Sequence, residues 1–296
     1  MLPASLHTAL SASLGAVADV RAVGGGDVSR AARVETASGP VFAKWAAGDA
    51  GRSYTAEAEG LAALAAAAGA ELAVPEPLLV RDADGGAPGH LVLPWLEPAR
   101  ASAADGRRFG RALAELHRAE PSGGGRYGWA RDNWIGSKPQ RNGWTSSWSA
   151  FFGERRLRAQ AETVRRRGAW RSAWDPALDR LVARLPELLP ERPAASLLHG
   201  DLWGGNALAT RAGGGVRFAL IDPAVSVGHR EADLAMTELF GGFAPAFYDG
   251  YREAWPLAAG YAERREVYNL FHLINHLTHG PGYAGAVDAV LRRFGG

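Results

Sequence analysis

Three oxygen-bearing side chains in the C-terminal half have the spacing of a phosphoryl-transfer site. Asn206 follows Asp201 by five residues, and Asp222 comes sixteen residues after Asn206. Phosphoryl transfer needs metal ligands and a group that accepts or orients the proton of the attacking hydroxyl. We therefore expect Asp201 to act on the hydroxyl, and Asn206 and Asp222 to give oxygen ligands to Mg²⁺. A simple turn, with Asp222 as a cap, is the alternative without chemistry.

A lysine in the N-terminal part can supply the cation that such a site needs. Of 33 Lys and Arg residues, only Lys44 and Lys138 are lysines. Lys44 lies near the end of the predicted strand Pro40–Trp45, from which an ammonium can reach nucleotide phosphates while a helix glutamate holds it. Glu57 and Glu59 are the candidates. The apolar residues four and seven positions after Glu57 favour Glu57 as the inward-facing one.

A run of three glycines, Gly24, Gly25 and Gly26, stands between the first two predicted strands. Backbone N–H groups in such a loop can bind anions, although triple glycine is also typical of a plain turn. Because Lys44 follows Gly26 by eighteen residues, we expect the glycines to lie over the phosphates.

The hydrophobic patterns predict an α+β protein with two lobes. Alternating residues separated by turn signals predict a five-stranded antiparallel sheet, with strands at Val17–Val23, Val28–Glu35, Pro40–Trp45, Leu78–Arg81 and His90–Leu93. One inserted helix over 54–68 has Ser53 as its expected N-cap, and a shorter helix over 5–16 precedes the sheet. The remainder is predicted to be mostly helical, with helices at 103–119, 145–168, 174–189, 230–240, 244–254, 261–279 and 283–293. We place the lobe boundary between 1–94 and 95–296.

Composition excludes several classes of protein. The chain has no cysteine, so disulfides, thiolate catalysis and cysteine metal sites are excluded, and a cytoplasmic location is expected. No apolar run is long enough to span a bilayer, so no membrane partner is expected. A net charge of +2 does not indicate a nucleic-acid-binding protein.

An aromatic and amide-rich segment could form the acceptor site. Six of the ten tryptophans fall between Trp129 and Trp174, and Asn133, Gln140 and Asn142 lie among them. Rings and amides together suit a polyhydroxylated ligand, but a packed loop that covers the helical lobe explains them equally well. Further along the chain His272, His276 and His279 share one helical face. They are expected to be a pocket wall or core residues rather than a zinc site.

The sequence resembles the fructosamine kinases, also called ketosamine-3-kinases, from about Gly24 to the final helix. Trp203, just after Asp201-Leu202, makes the catalytic motif much more specific than the general kinase pattern. The resemblance rests on the stretches Leu198–Asn206, Ile221–Ala224 with Gly228–Met236, Asn133–Gly136 with Pro139–Asn142 and Trp144, and Trp148–Phe152 with Arg155–Leu157.

This resemblance implies a protein-kinase-like fold related to the aminoglycoside phosphotransferases, and an ATP- and Mg²⁺-dependent kinase. The expected acceptor is the sugar 3-hydroxyl of a small-molecule or protein-bound ketosamine, such as a fructosamine or ribulosamine, and the expected role is deglycation. An aminoglycoside- or other hydroxyl-directed phosphotransferase is the alternative, and a nucleotide-binding module without catalysis is a third possibility.

The resemblance also assigns roles to residues. It implies that Asp201 is the catalytic base, that Asn206 and Asp222 bind metal, and that Lys44 with Glu57 anchors phosphate. The hinge Leu93, Pro94, Trp95 and Leu96 should face the adenine. Because Pro94 has no N–H, the adenine must pair with neighbouring backbone groups. Trp203, Asn133, Gln140, Asn142, His272 and His276 are expected at the acceptor.

Replacing Lys44 by arginine tests the phosphate-anchor assignment. We expect the Lys44→Arg variant to lose most of its phosphotransferase activity, because a planar guanidinium does not replace a compact ammonium. Turnover of MgATP by the purified variant is the measurement, and a fully active variant would contradict the assignment.

Overall fold

A computed structural model describes residues 1–24 and 29–296 of the chain. Its N-terminal part contains the expected five-stranded antiparallel sheet, in the order β1-β2-β3-β6-β5. The strands of this part are β1 (Val17–Val23), β2 (Arg30–Thr36), β3 (Gly39–Ala46), β4 (Leu72–Ala73), β5 (Leu79–Arg81) and β6 (Gly89–Pro94). The helices are α1 (Ala4–Leu14) and α2 (Tyr54–Ala67). Gly25, Gly26 and the expected strand start at Val28 lie outside the described residues.

The two faces of this sheet are covered by different helices. Successive side chains of a strand point to opposite faces, so Ala43 packs with Leu6 and Leu10 of α1 on one face. Phe42 packs with Tyr54 and Leu61 of α2 on the other face. Since Phe42 and Lys44 are two residues apart, the pleat directs Lys44 toward α2.

The start of α2 differs from the expected cap. The Ser53 hydroxyl does not cap the helix but donates to Ala50 O. Instead Asp82, which follows β5, accepts a hydrogen bond of 2.8 Å from the N–H of Thr55. A carboxylate at a helix N-terminus is favourable, so the helix is capped from a distant loop that sequence spacing does not reveal.

The remaining chain is mostly helical, as expected. Its helices are α3 (Ala103–Arg118), α4 (Trp148–Phe151), α5 (Ala159–Arg166), α6 (Asp175–Leu188), α7 (Glu231–Leu239), α8 (Pro245–Ala254), α9 (Tyr261–His276) and α10 (Ala284–Gly295). Its strands are β7 (Asn133–Ile135), β8 (Lys138–Gln140), β9 (Ala195–Leu198), β10 (Ala207–Ala212), β11 (Gly215–Leu220) and β12 (Ser226–His229). No helix among the described residues is long and apolar enough to cross a membrane.

Three features of this part depart from the expected elements. The helix expected over 145–168 begins at Trp148 and contains a π-helical stretch, Phe152–Arg158, between α4 and α5. The hairpin of β7 and β8 was not expected. The short strand β4 does not join the five-stranded sheet. It pairs in parallel with β11, and Leu72 lies opposite Phe218. The boundary between 1–94 and 95–296 therefore stays a prediction.

The contact between α3 and α8 depends on glycine. A Cβ on Gly110 would stand 2.0 Å from Phe247 O, and one on Gly250 would stand 2.1 Å from Arg107 O. Backbone atoms cannot give way without moving a whole helix. By contrast, a Cβ on Gly106 would meet nothing closer than 3.8 Å.

Alanine at these two positions of α3 should have opposite effects on stability. We expect Gly110→Ala to lower the free energy of unfolding by about 3 kcal/mol, because the two helices must separate. Gly106→Ala should leave it unchanged or raise it by about 0.5–1 kcal/mol, since alanine favours helix. Urea denaturation of both variants is the measurement, and equal effects would contradict the close approach.

Candidate active site

Lys44 lies at the centre of an ionic cluster. Its Nζ is 2.7 Å from Glu57 Oε2 and 2.5 Å from Asp222 Oδ1. The side chain is nearly buried, and Tyr54 places its ring 5.8 Å from the ammonium. Glu59 points away and pairs with Arg131 at 2.8 Å. The structure thus brings Lys44, Glu57 and Asp222 together. The glutamate that faces Lys44 is Glu57 and not Glu59, as the sequence predicted.

The side chains of this cluster differ in how strongly their surroundings favour the charged form. Burial raises the pKa of Glu57 to about 8, against the attraction of Lys44, and the nearby Asp222 raises it further. Burial also opposes the charge on Lys44, but Asp222 and Glu57 outweigh it and raise its pKa. The pKa of Asp222 is lowered, because Lys44 outweighs burial. The Lys44 ammonium thus contacts two carboxylates, and Asp222 is the one whose ionised form is favoured.

The backbone conformation of Asp222 also helps to fix the position of its side chain. It is the one non-glycine residue with positive φ in the described chain, at 53°, a conformation that is uncommon outside glycine but that aspartate adopts more often than most residues. Its side chain is 48% exposed, whereas that of Glu57 is nearly buried. Asp222 therefore presents a carboxylate to solvent while one of its oxygens stays on Lys44.

Asp201 and Asn206 are in direct contact. Asn206 Nδ2 donates to Asp201 O at 2.9 Å and to Asp201 Oδ2 at 3.2 Å. Burial and the charge of Asp222 raise the pKa of Asp201 to about 7. Since Asn206 uses its amide nitrogen on Asp201, its carbonyl oxygen is left for another partner.

The backbone before Asp201 is held by a buried acid on α7. Asp233 Oδ2 accepts the N–H of His199 at 2.7 Å, and Oδ1 accepts the N–H of Gly200 at 2.9 Å. His117 Nε2 lies 3.2 Å from the same carboxylate, and its Nδ1 lies 2.8 Å from the Tyr251 hydroxyl. Burial opposes ionisation, but these hydrogen bonds outweigh it and hold the pKa of Asp233 low. Sequence reasoning gave Asp233 no role.

Gly200 and His199 complete this support. Gly200 has φ +81°, and a Cβ there would stand 2.0 Å from Ala224 O, so only glycine fits. The ring of His199 bridges the two catalytic segments, because Nε2 donates to Ile221 O at 2.9 Å and Nδ1 accepts the N–H of Asp201 at 3.2 Å. Asp201 and Asp222 are therefore placed by one hydrogen-bonded unit.

The three amides expected at the acceptor form an internal network. Asn133 donates to Val225 O at 2.8 Å, and Gln140 donates to Ala224 O at 3.0 Å. Gln140 and Asn142 both donate to Asn133 Oδ1 at 2.9 Å. All three are buried, so the hydrogen bonds favour the packed-loop interpretation. Their place at the acceptor stays a prediction.

Other expected site residues lie at several positions. Gly24 is exposed directly after β1, and Gly25 and Gly26 are outside the described residues. Leu93 is buried and Pro94 ends β6. The Trp95 N–H donates to Pro40 O at 3.3 Å, and Leu96 follows.

Trp203, His272 and His276 have different surroundings, and His272 lines one small cavity together with the amide Gln140. Trp203 is 40% exposed, and its ring covers Gly205, where a Cβ would stand 2.2 Å away. His272 is buried, and residues 1–24 and 29–296 offer no hydrogen-bond partner to its Nδ1. His276 packs its ring 4.7 Å from that of Phe240. Among the described residues no group of three or more His, Cys, Asp or Glu side chains could hold a metal ion.

Comparison with known proteins identifies the family of this chain. The model of the fructosamine kinase family matches residues 4–294. The chain belongs to the fructosamine kinase family. A probable ketoamine kinase from Synechocystis is 39% identical over 277 residues, which cover 92% of this chain and 89% of the relative.

Solved structures confirm the fold of this fructosamine kinase family member. A protein from Haemophilus somnus described as a fructosamine-3-kinase aligns with TM-score 0.85 and 26% identity, over 98% of this chain and 96% of that one. An aminoglycoside phosphotransferase bound to AMP-PNP and hygromycin B aligns with TM-score 0.67 and 17% identity, over 97% and 98% of the chains. At that identity the second likeness shows the fold alone. The predicted protein-kinase-like α+β fold is confirmed.

Removing the Asp233 carboxylate should destabilise this fold. In an Asp233→Ala variant two buried N–H groups lose their acceptor, and we expect the free energy of unfolding to fall by about 3 kcal/mol. Asp179→Ala on α6 is the matched control, because Asp179 is largely exposed and pairs with Arg158 at the surface, so the loss should stay below about 1 kcal/mol. Denaturation curves compare the two, and a smaller loss for Asp233→Ala than for the control would contradict the supporting role.

Proposed function

We propose that the protein transfers the γ-phosphoryl group of ATP to the 3-hydroxyl of a ketosamine sugar, a fructosamine or ribulosamine. The observation that carries this proposal is that two pairs of side chains come together at the family's motif. One pair is Lys44 with Asp222, and the other is Asp201 with Asn206. Residues 1–94 bind the nucleotide, and residues 95–296 carry the base and the acceptor site. The product is a phosphorylated adduct, and its loss from the amine amounts to deglycation.

The N-terminal sheet supplies the nucleotide contacts. Lys44 carries a permanent positive charge held by Glu57 at 2.7 Å, and it lies on the face of the sheet that meets Asp222. This ammonium neutralises phosphate oxygens, and the run Gly24–Gly26, of which Gly25 and Gly26 lie outside the described residues, is the expected phosphate-binding loop. The Trp95 amide already donates to Pro40 O and Pro94 has no donor, so the Leu96 N–H is assigned to the adenine.

Asn206 and Asp222 offer a donor set that fits Mg²⁺. Asp222 has a half-exposed carboxylate with one oxygen on Lys44, and Asn206 has its amide nitrogen on Asp201, which leaves its oxygen free. Carboxylate and amide oxygens are ligands that Mg²⁺ prefers, and it usually takes few of them from the protein. When bound, Mg²⁺ neutralises charge on the phosphates.

Asp201 acts on the acceptor hydroxyl. Its carboxylate has a pKa raised to about 7 by burial and by Asp222, which makes it a stronger base than an exposed aspartate. Asn206 holds one of its oxygens at 3.2 Å, so the other can accept the hydroxyl proton. Asp233 and His199 keep the backbone of Asp201 in place.

The acceptor separates this proposal from its alternative. An aminoglycoside phosphotransferase uses the same fold, but the likeness there stands at 17% identity, against 39% to the ketoamine kinase relative. Turnover of MgATP with ketosamines beside aminoglycosides, and the phosphate position by NMR, decides between them. Phosphorylation of aminoglycosides alone, or at a hydroxyl other than the third, would overturn the proposed acceptor.

The Asp201→Ala variant tests the base. We expect MgATP binding to be retained and kcat to fall by about 10²–10⁴-fold, the loss typical of an acid–base group. Calorimetry with MgATP and steady-state turnover are measured on the same preparation. Unchanged turnover would refute the role of Asp201.

The Asp222→Ala variant tests the proposed metal ligand, as the Asp201→Ala variant tests the proposed base. We expect Mg²⁺-dependent nucleotide binding to be abolished, because the remaining ligand Asn206 is neutral. Calorimetry with ATP in the presence and absence of Mg²⁺ gives the result. Undiminished MgATP affinity would count against the assignment.

A further inference from the structure

Lys138 is a buried lysine without a partner. It lies on β8 with only 2% of its surface exposed, and the described residues provide no hydrogen bond or ion pair for its ammonium. Burial lowers its pKa to about 8, and the charge of Arg167 lowers it further. Since an unpaired buried charge is costly, such groups are paired in most proteins. An ammonium kept under these conditions indicates an anion that comes from outside the chain.

Lys138 is within electrostatic reach of Asp201, the proposed base. The charge of Asp201 acts on Lys138 and raises its pKa against the other effects. The charge of Lys138 also lowers the pKa of His276, at the end of α9. Asp201 and His276 are therefore both within electrostatic reach of Lys138.

A cavity of about 540 Å³ lies near this position, although Lys138 is not part of its lining, and both of its charged lining residues are arginines. Arg167 and Arg171 line it together with uncharged residues, Ala169, Leu277, Thr278, Gly280, Pro281 and Ala284. Two links connect it with Lys138. Arg167 donates to Ser137 O at 3.0 Å, one residue before Lys138, and Leu277 directly follows His276.

The arginines of the cavity differ from their neighbours on the same segment. Arg165 and Arg166 both pair with Glu162. In the described chain Arg167 contacts only the hydroxyl and carbonyl of Ser137, and Arg171 lies 5.0 Å over the ring of Trp174. Lys138, Arg167 and Arg171 are thus three cations without an acid among the described residues.

We propose that Lys138, with Arg167 and Arg171, binds an anionic group of the acceptor and makes the enzyme selective for ketosamines that carry a carboxylate or a phosphate. This inference rests on the proposed function, because it concerns the substrate of the same site. The nucleotide is not the source of the anion, since Lys44 serves its phosphates from the sheet and the cavity lies on the side of α9.

Matched acceptors test the proposal. Fructosyl-glycine and fructosyl-glycinamide differ only in the carboxylate, and fructosyl-glycinamide 6-phosphate carries phosphate instead. We expect the wild-type enzyme to prefer the anionic acceptors, and the more strongly preferred of the two identifies the anion. Lys138→Met should lower kcat/KM for that acceptor by roughly 10- to 100-fold, mainly through KM, and should change fructosyl-glycinamide by less than threefold.

Control variants separate recognition from folding. Arg167→Met should act in the same direction as Lys138→Met, whereas Arg166→Met, with its acid partner Glu162, should change neither acceptor. Lys138→Met should keep or raise the thermal midpoint, because it removes a buried unpaired charge. An equal loss on charged and neutral acceptors would overturn the proposal, as would a wild-type enzyme without preference or a destabilised Lys138→Met protein.

A binding measurement keeps this inference separate from the kinase proposal. The chain has two lysines, Lys44 and Lys138, so ¹³C-lysine labelling gives two side-chain signals, and Lys138→Met assigns them. Inorganic phosphate should shift the Lys138 signal and raise its pKa above about 8, and Arg167→Met should weaken the effect. A response of Lys44 alone would refute the anion site. Absence of any ketosamine turnover would instead refute the proposed function.

Discussion

The contact of one ammonium with two carboxylates joins the parts of this protein. Lys44 comes from the sheet, Glu57 from α2 and Asp222 from the segment after β11, 178 residues further along the chain. The contact requires α2 to approach Asp222 closely, and Gly60 permits it, since a Cβ there would stand 3.2 Å from Pro223 and 3.3 Å from Val225. The position of the proposed nucleotide site relative to Asp201 therefore depends on close packing beneath α2, where an added Cβ would force its neighbours to shift.

The reacting side chains are held through backbone groups more than through each other. Asp233 holds the two N–H groups before Asp201, and Asn133 and Gln140 hold the carbonyls just after Asp222. Buried hydrogen-bonded networks of this kind specify a single arrangement only when every member is satisfied. The amide-rich loop thus fixes the segment that carries Asp222, the proposed metal ligand.

Local patterns were sufficient to predict the sheet, most helices and the pairing of Lys44 with Glu57. Strand alternation places Lys44 on the face of α2, and helical periodicity selects Glu57 over Glu59. The cap from Asp82, the parallel pairing of β4 with β11 and the π-helical stretch depend on contacts between distant segments, which no spacing encodes. The motif containing Asp233 was recognised, but its role could be read only from the fold.

The scarcity and burial of lysine have a consequence for the protein's own chemistry. Accessible unprotonated amines attack the carbonyl group of reducing sugars, yet both lysines are buried, at 9% and 2% exposure. Lys44 is also kept protonated by its two carboxylates. Arginine carries nearly all of the positive surface charge and stays protonated at neutral pH. A protein that acts on glycated amines thus exposes no lysine side chain on which the same adduct could form.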